Sequence, residues 1–358
     1  MKERIGYYDL ARGLGIIFVV IGHIDTFYVP FRSVVITFHM ALFLIISGML
    51  FWETQEEQKC FLNSLKKKFC RIMIPYILFS FLSIGVEFLR LALQGVFYWP
   101  HFKALLISVI SLYGNSVMWF LPALFLSEML FLAIRKMKSD LVTIIVVVGL
   151  AILTVWANTL EIGDDALWQS TFAALIRSIF CTLFLCVGYY VRKWIVPLAI
   201  PRYVYGGLSV ILLGISVWIN DMNPKVDLRA LYWGELSFST NSTLILLSAR
   251  VAMYVAGALA GALGIIFLCK VLDKYHNKTI FRMIAFFGSN SLIIMATHLD
   301  LHVLHYSMDM AVMLNAFLPN PILYHMWILV FVFTAETVLI KLINKYIPVL
   351  AGKNRNIS

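Results

Sequence analysis

Long apolar runs joined by short polar connections dominate this chain. About ten of the runs approach the roughly 20 residues that an α-helix needs to cross the hydrocarbon core of a bilayer. They lie at residues 8–26, 34–52, 72–93, 117–134, 141–158, 170–190, 203–220, 246–269, 285–306 and 323–345. The apolar stretch at 104–112 is too short to cross and indicates an interfacial or re-entrant segment. The pattern predicts an all-α, polytopic bundle with about ten transmembrane helices.

Composition supports this class. Hydrophobic residues make up 61% of the chain and charged residues 13%, whereas soluble domains carry about 25% charged residues. The first apolar run lacks a small-residue cleavage site, so we expect it to be retained as the first span rather than removed as a signal peptide. We predict one membrane-embedded domain over residues 1–346, followed by a short basic cytoplasmic tail at 347–358.

Positive charge predicts the orientation in the membrane. The formal net charge is +10, but the Lys and Arg residues are dispersed among short loops, which favours contact with anionic lipid headgroups over nucleic acid binding. By count along the sequence, 21 of the 29 Lys and Arg residues lie on the side of the termini, and four lie in the opposite loops. The positive-inside rule therefore places both termini in the cytoplasm.

Cysteine and metal chemistry contribute little to the predicted function. None of the five cysteines falls in a predicted outer loop, so we expect no disulfides. The sequence has no CxxC motif and no His/Cys cluster, and we expect no metal. The outer loops are instead acidic and aromatic, as at Asp164, Asp165, Tyr232 and Trp233, and are read as solvated loops.

Ionisable side chains interrupt several of the apolar runs. Arg12 and His23 are eleven residues apart, which places them on one face of a helix and about 16 Å apart along its axis. His39 and His298 fall at a depth similar to that of His23, in the predicted outer half of the bilayer. One such histidine is more often structural, but three at similar depth are more simply explained as one site. Four further charges are each either half of a structural ion pair or a site residue: Glu128, Arg177, Arg250 and Glu336.

Five motifs resemble those of the integral-membrane acyltransferase-3 family, particularly its branch of fucose 4-O-acetylase-like O-acetyltransferases. They follow one another along nearly the whole chain: Asp9-x-x-Arg12-Gly13 with Gly22-His23, an Arg-x10-His signature; Phe38-His39-Met40-x-Leu42-Phe43-x-x-x-Ser47-Gly48; Lys68-x-x-Arg71-Ile72-x-Ile74-Pro75-Tyr76; Trp119-Phe120-Leu121-Pro122-Ala123-Leu124-Phe125; and Gly288-x-Asn290-Ser291-Leu292 to His298. Lys68 stands where the family usually has an arginine, and a lysine does not make the bidentate contacts of an arginine.

The resemblance implies an enzyme of a bacterial plasma membrane that moves an acetyl group from cytoplasmic acetyl-CoA to a hydroxyl of a carbohydrate, such as a cell-surface or lipid-linked glycan. By this resemblance, Arg12, Lys68 and Arg71 are the residues that bind the phosphates of CoA. Cations at the cytoplasmic mouth suit an anionic nucleotide, because charge-assisted hydrogen bonds to phosphate are strong.

Histidine is the residue type expected to perform the chemistry. A sugar hydroxyl is a poor nucleophile near neutral pH, and imidazole titrates in the range where it can both accept and return a proton. We predict His23 as the general base. His39, Ser47 and His298 are candidates for positioning the hydroxyl or stabilising the tetrahedral oxyanion. The sequence leaves open whether an acyl-enzyme intermediate forms or transfer is direct.

A second class of protein also fits an intramembrane histidine set. In a transporter or glycan flippase, the same histidines would form a proton relay. The sequence shows no convincing internal repeat and few paired Gly/Pro interruptions, both of which are typical of transporters. A membrane sensor is a weaker alternative, since no signalling domain is attached.

The charge asymmetry predicts which loops a membrane-impermeant thiol reagent can reach in intact cells. A cysteine introduced at Asp164 or Asn223 should be labelled from outside, whereas Cys60 should not. Mass spectrometry of the labelled protein measures both. Labelling of a cysteine placed at Lys66 from outside would contradict the orientation and, with it, a cytoplasmic donor site.

Overall fold

The protein is all-α in a computed structural model that describes residues 6–160, 163–198, 200–223, 244–317 and 319–353. Those ranges contain no β-strand. The α-helices are α1 Gly6–Gly22, α2 Val29–Glu53, α3 Phe61–Lys68, α4 Ile74–Leu93, α5 Trp99–Ile110, α6 Phe120–Arg135, α7 Asp140–Ala157, α8 Ala166–Tyr190, α9 Arg202–Met222, α10 Leu244–Leu272, α11 Thr279–Ser289, α12 Ser291–Thr297, α13 Val303–Phe317 and α14 Pro321–Tyr346. The outer-loop residues Tyr232 and Trp233 lie outside the described residues.

The prediction of a polytopic helical membrane protein is confirmed. Within the described ranges, eight helices are long and apolar enough to cross a bilayer, or nine if the bent pair α11 and α12 counts as one span. Helix α1 has 17 residues, about 25 Å of rise, which is the lower limit for a span. The predicted ten spans are reached when α1 is included. Helix α5, with 12 residues, agrees with the prediction that the segment around 104–112 is too short to cross.

The ninth predicted span, 285–306, differs from the structure. Helices α11 and α12 meet at an angle of 67°, α12 ends at Thr297, and α13 begins separately at Val303. Asn290 stands at the break, outside helical geometry, and its side-chain oxygen accepts a hydrogen bond from Asn344 Nδ2 at 2.9 Å. Asparagine favours such breaks because its side chain competes with the backbone for hydrogen bonds. His298 therefore follows a helix end.

The described residues cluster into two compact units. Unit 1 comprises Met1–Leu65 and Ala123–Ser289, and unit 2 comprises Lys66–Pro122 and Asn290–Ser358. In unit 1, α2 packs against α1, α8 and α10, and α9 packs against α10. In unit 2, α13 packs against α14, and α4 packs against α5. The described parts of the predicted membrane domain thus form two helical bundles.

Glycines set the closest helix contacts of unit 1. A methyl group at Gly48 of α2 would clash with the backbone of Leu185, and one at Gly188 of α8 would clash with the backbone of Ile45. The two glycines therefore let α2 and α8 approach to backbone contact, as small residues do between membrane helices. Helices α1 and α11 meet in the same way through two glycines of the recognised motifs, Gly13 and Gly288.

A buried arginine joins the ends of several unit 1 helices. Arg135, at the end of α6, donates from Nε to Glu57 at 2.8 Å and from its guanidinium to Asp140 at 2.9 Å. The Tyr189 hydroxyl donates to the same Glu57 carboxylate at 2.6 Å. Because one buried charge left alone would be costly, these contacts hold α6, α7 and α8 at one end of the bundle.

Replacing Gly188 by alanine should destabilise the protein. The added methyl group meets backbone atoms, which cannot rotate away, and overpacking costs about 1–3 kcal/mol. Gly149→Ala is the matched control, because Gly149 is helical and has no neighbour within 4 Å of an added methyl group. Thermal unfolding in detergent should show a lower midpoint for Gly188→Ala, and an unchanged or raised midpoint for Gly149→Ala. Equal midpoints for the two variants would contradict backbone contact between α2 and α8.

Candidate active site

The predicted site residues divide between the two units. Arg12, His23, His39 and Ser47 belong to unit 1, and three others belong to unit 2: Lys68, Arg71 and His298.

Helix α1 carries Arg12 and ends just before His23. Arg12 is half-buried in the helix, and the next residue, Gly13, gives α11 its close approach. The predicted span extended to residue 26, but α1 ends at Gly22. The His23 N–H donates to Val20 O at 3.1 Å, a bond between residues three apart, so His23 occupies a tight turn beyond the helix. Its side chain is partly exposed, as a base that receives a substrate proton must be.

Two buried histidines have the same tautomer. His39 Nδ1 lies 2.9 Å from Val35 O, and His298 Nδ1 lies 2.8 Å from Ile294 O. A carbonyl oxygen only accepts hydrogen bonds, so in each neutral ring Nδ1 carries the hydrogen and Nε2 carries the lone pair. Nε2 is therefore the acceptor nitrogen of each neutral ring, an assignment that the sequence alone does not indicate.

Ser47 contacts a carboxylate from a distant part of the chain. Its hydroxyl donates to Glu128 of α6, and Glu128 is buried. While that bond is made, the Ser47 hydrogen serves Glu128 and is not offered to an oxyanion. The sequence left open whether Glu128 belongs to a structural ion pair or to the site. In the structure it is a direct neighbour of Ser47, a predicted site residue. The two residues are 81 positions apart, so no local sequence pattern indicated this contact.

Two of the remaining intramembrane charges have neutral partners. Glu336 of α14 is fully buried, and both of its carboxylate oxygens lie within 2.8 Å of Thr297 Oγ1. Arg250 of α10 points Nε at Asn223 Oδ1, 3.5 Å away. These contacts favour a structural role for both residues. Arg177 of α8 is also nearly fully buried.

The Lys68-x-x-Arg71 motif lies where the helix changes its winding. Lys68 ends α3, and Arg71 lies in a π-helical turn, Phe69–Met73, that leads into α4. Pro75 has no N–H to bond to the Arg71 carbonyl four residues earlier, which explains why regular α-helical bonding fails there. π-helical turns are frequent at functional sites. The Arg71 side chain is exposed and can reach an anionic ligand.

The described start of the predicted tail packs beside Arg71. Pro348–Ala351 forms a 3₁₀ helix, and Gly352 follows it with a φ of 67°. A methyl group at Gly352 would lie 2.6 Å from Arg71 O, so the chain passes directly against the backbone of the motif. Residues 348–353 are therefore part of unit 2, while 354–358 of the predicted tail lie outside the described residues.

A polar group around Glu87 lies in unit 2 and was not predicted. Arg90 donates to both Glu87 oxygens at 2.8 Å, and the Nε2 atoms of His101 and His302 lie 3.4 and 3.5 Å from the same carboxylate. His302 ends the turn that begins at His298. The group thus holds that turn against α4. The sequence signal was the Glu87 and Arg90 pair, three residues apart on one helix face.

Comparison with known proteins identifies one family. A family model described as an acyltransferase domain, of the acyltransferase-3 type, matches residues 5–344. The match covers nearly the whole chain. No curated protein and no solved structure matches the chain.

Removing the Ser47 hydroxyl should destabilise unit 1. The buried Glu128 carboxylate would lose a donor, and hydrogen bonds to charged groups are worth about 1.5–3 kcal/mol. Ser127→Ala is the matched control, since Ser127 is fully buried in α6 and donates only to Leu124 O of its own helix. Thermal unfolding in detergent should give a lower midpoint for Ser47→Ala than for Ser127→Ala. A Ser47→Ala midpoint equal to that of the wild type would exclude a stabilising Ser47–Glu128 bond.

Proposed function

Because this chain belongs to the acyltransferase-3 family, we propose that it is an O-acetyltransferase that moves an acetyl group from acetyl-CoA to a hydroxyl of a carbohydrate. Family membership makes the protein a membrane acyltransferase. The acetyl donor and the carbohydrate acceptor are our proposal, and the resemblance of the motifs to fucose 4-O-acetylase-like enzymes supports them.

The observation that carries the proposal is the position of His23. It follows the end of a helix whose interior holds a half-buried arginine, and its side chain is partly exposed. An imidazole held in a turn at the end of a packed helix can accept a proton from a bound hydroxyl and return it to a leaving group. A structural histidine packed between helices would need no such exposure.

Donor binding is assigned to cations at the predicted cytoplasmic end. In unit 2, the exposed Arg71 lies in the π-helical turn, the half-buried Lys68 directly precedes it, and both cations suit the phosphates of CoA. In unit 1, Arg12 is assigned the same kind of role from the Arg-x10-His signature. The arginines can make planar, bidentate contacts to phosphate, while Lys68 supplies a point charge.

The proposed chemical step moves one proton through His23. His23 accepts the hydroxyl proton while the hydroxyl oxygen attacks the acetyl carbonyl, and a C–O bond forms. The C–S bond of the thioester then breaks, and the sulfur of CoA leaves with the proton from His23. By the motif resemblance, His39 and His298 stay candidates for positioning the acceptor hydroxyl.

Kinetics of two variants should separate chemistry from donor binding. His23→Ala should lower kcat by about 10² or more while leaving KM for acetyl-CoA within a few-fold, since it removes a general base. Arg71→Ala should raise KM for acetyl-CoA by about tenfold or more, because it removes charge-assisted contacts made in ground and transition states alike. Both are measured as CoA release by the purified protein with an acceptor glycan.

Two matched substitutions control for the loss of a histidine or an arginine. His276 and Arg202 are exposed residues on the predicted cytoplasmic side, and their alanine variants should keep wild-type kinetics. Wild-type acetylation by His23→Ala would refute its role as the base. A wild-type protein that consumes no acetyl-CoA and alters no cell-surface glycan would refute the proposed function itself.

A further inference from the structure

The turn that carries His23 is tied to the next helix by one arginine. Arg32, in the first turn of α2, donates from Nε to Gly22 O at 2.7 Å and from its guanidinium to Asp25 Oδ1 at 2.6 Å. Gly22 immediately precedes His23, and Asp25 follows it by two residues. The single guanidinium therefore holds the backbone before His23 and a side chain after it.

The end of α1 explains why Gly22 accepts this bond. Terminal carbonyls of a helix lack intrahelical partners. The Val20 and Ile21 carbonyls bond to the N–H groups of His23 and Ile24, and the Gly22 carbonyl is met by the Arg32 side chain. A cation at this position also interacts favourably with the negative end of the helix dipole.

Aromatic rings from α1, the turn and α2 also pack against one another here. The Phe31 ring lies 6.3 Å from that of Phe18 and 6.0 Å from that of Phe27, measured between centroids. The Arg32 side chain is 27% exposed and that of Asp25 is 84% exposed. The bond to Gly22 O is therefore the more protected of the two, while the exposed pair with Asp25 contributes little by itself.

We propose that Arg32 is a positioning residue for His23, which fixes the imidazole by holding the turn at Gly22 and Asp25. The inference rests on the proposed function of His23. A general base must lie within hydrogen-bond reach of the proton it takes, and a displacement of about 1 Å can lower the rate by about 10². Arg32 contacts the backbone that carries the base and acts through it.

The two contacts predict how conservative variants behave. Lysine offers one ammonium where arginine offers a planar fork, so Arg32→Lys can serve Gly22 O or Asp25 but not both in the same geometry. Asp25→Asn keeps the Gly22 bond and should have a small effect. The rank order of kcat should therefore be wild type, Asp25→Asn, Arg32→Lys and Arg32→Ala.

A double-mutant cycle with His23 distinguishes positioning from a general structural role. Arg32→Ala should lower kcat by about 10- to 100-fold with KM for acetyl-CoA within a few-fold. Arg32→Ala combined with His23→Ala should be no slower than His23→Ala alone, because Arg32 acts only through His23. Arg250→Ala, which removes an arginine that contacts Asn223 in the same unit, is the control and should keep wild-type kcat.

A second readout does not depend on turnover. Modification of His23 by diethylpyrocarbonate, mapped by mass spectrometry, should be faster in Arg32→Ala than in the wild type and unchanged in Arg250→Ala. Wild-type kcat or an unchanged modification rate in Arg32→Ala would overturn the positioning role, as would multiplicative losses in the double variant. If the wild type transfers no acetyl group, the proposed function fails, and the modification rate still decides whether Arg32 holds the turn.

Discussion

Backbone polar groups inside a membrane domain must find partners within the protein, and this requirement governs the places where helices end. At the end of α1, the Gly22 carbonyl is satisfied by Arg32. Near the end of α5, which is too short to cross, the Val109 carbonyl accepts the Tyr76 hydroxyl at 2.9 Å. Two of the predicted site histidines lie just beyond such ends. Helix ends held by neighbouring side chains are rigid positions for a reactive group that must also be reached by substrate.

The recognised motifs combine two kinds of residue with different physical tasks. Gly13 and Gly48 follow Arg12 and Ser47 directly, and each lets a neighbouring helix approach to backbone contact. A polar side chain next to a glycine is therefore held on a helix that is locked by close packing. The close contact at the glycine fixes the helix, and the fixed helix gives the neighbouring polar side chain a defined position.

Hydroxyl groups lie within hydrogen-bond distance of two of the buried carboxylates among the described residues. Glu128 accepts from Ser47 in unit 1, and Glu336 lies against Thr297 in unit 2. Arg135, by contrast, donates to two carboxylates that converge on it, those of Glu57 and Asp140. Planar guanidinium groups suit such convergent sites because their donors point in fixed directions.

The sequence alone determined the fold class, most of the spans and the motif residues, because an apolar run of about 20 residues has essentially one stable form in lipid, the helix. The motif that includes Asn290 pointed to His298, but the apolar run around it looked continuous. The structure breaks the run at Asn290, whose side chain accepts a hydrogen bond from Asn344, 54 positions away. The contacts of Ser47 with Glu128 and of Arg32 with Gly22 likewise depend on which helices pack together. The apolar pattern of the sequence does not indicate which helices these are. Tertiary packing also decided that His23 lies beyond α1, since a helix ends where side chains from elsewhere can satisfy its last carbonyls.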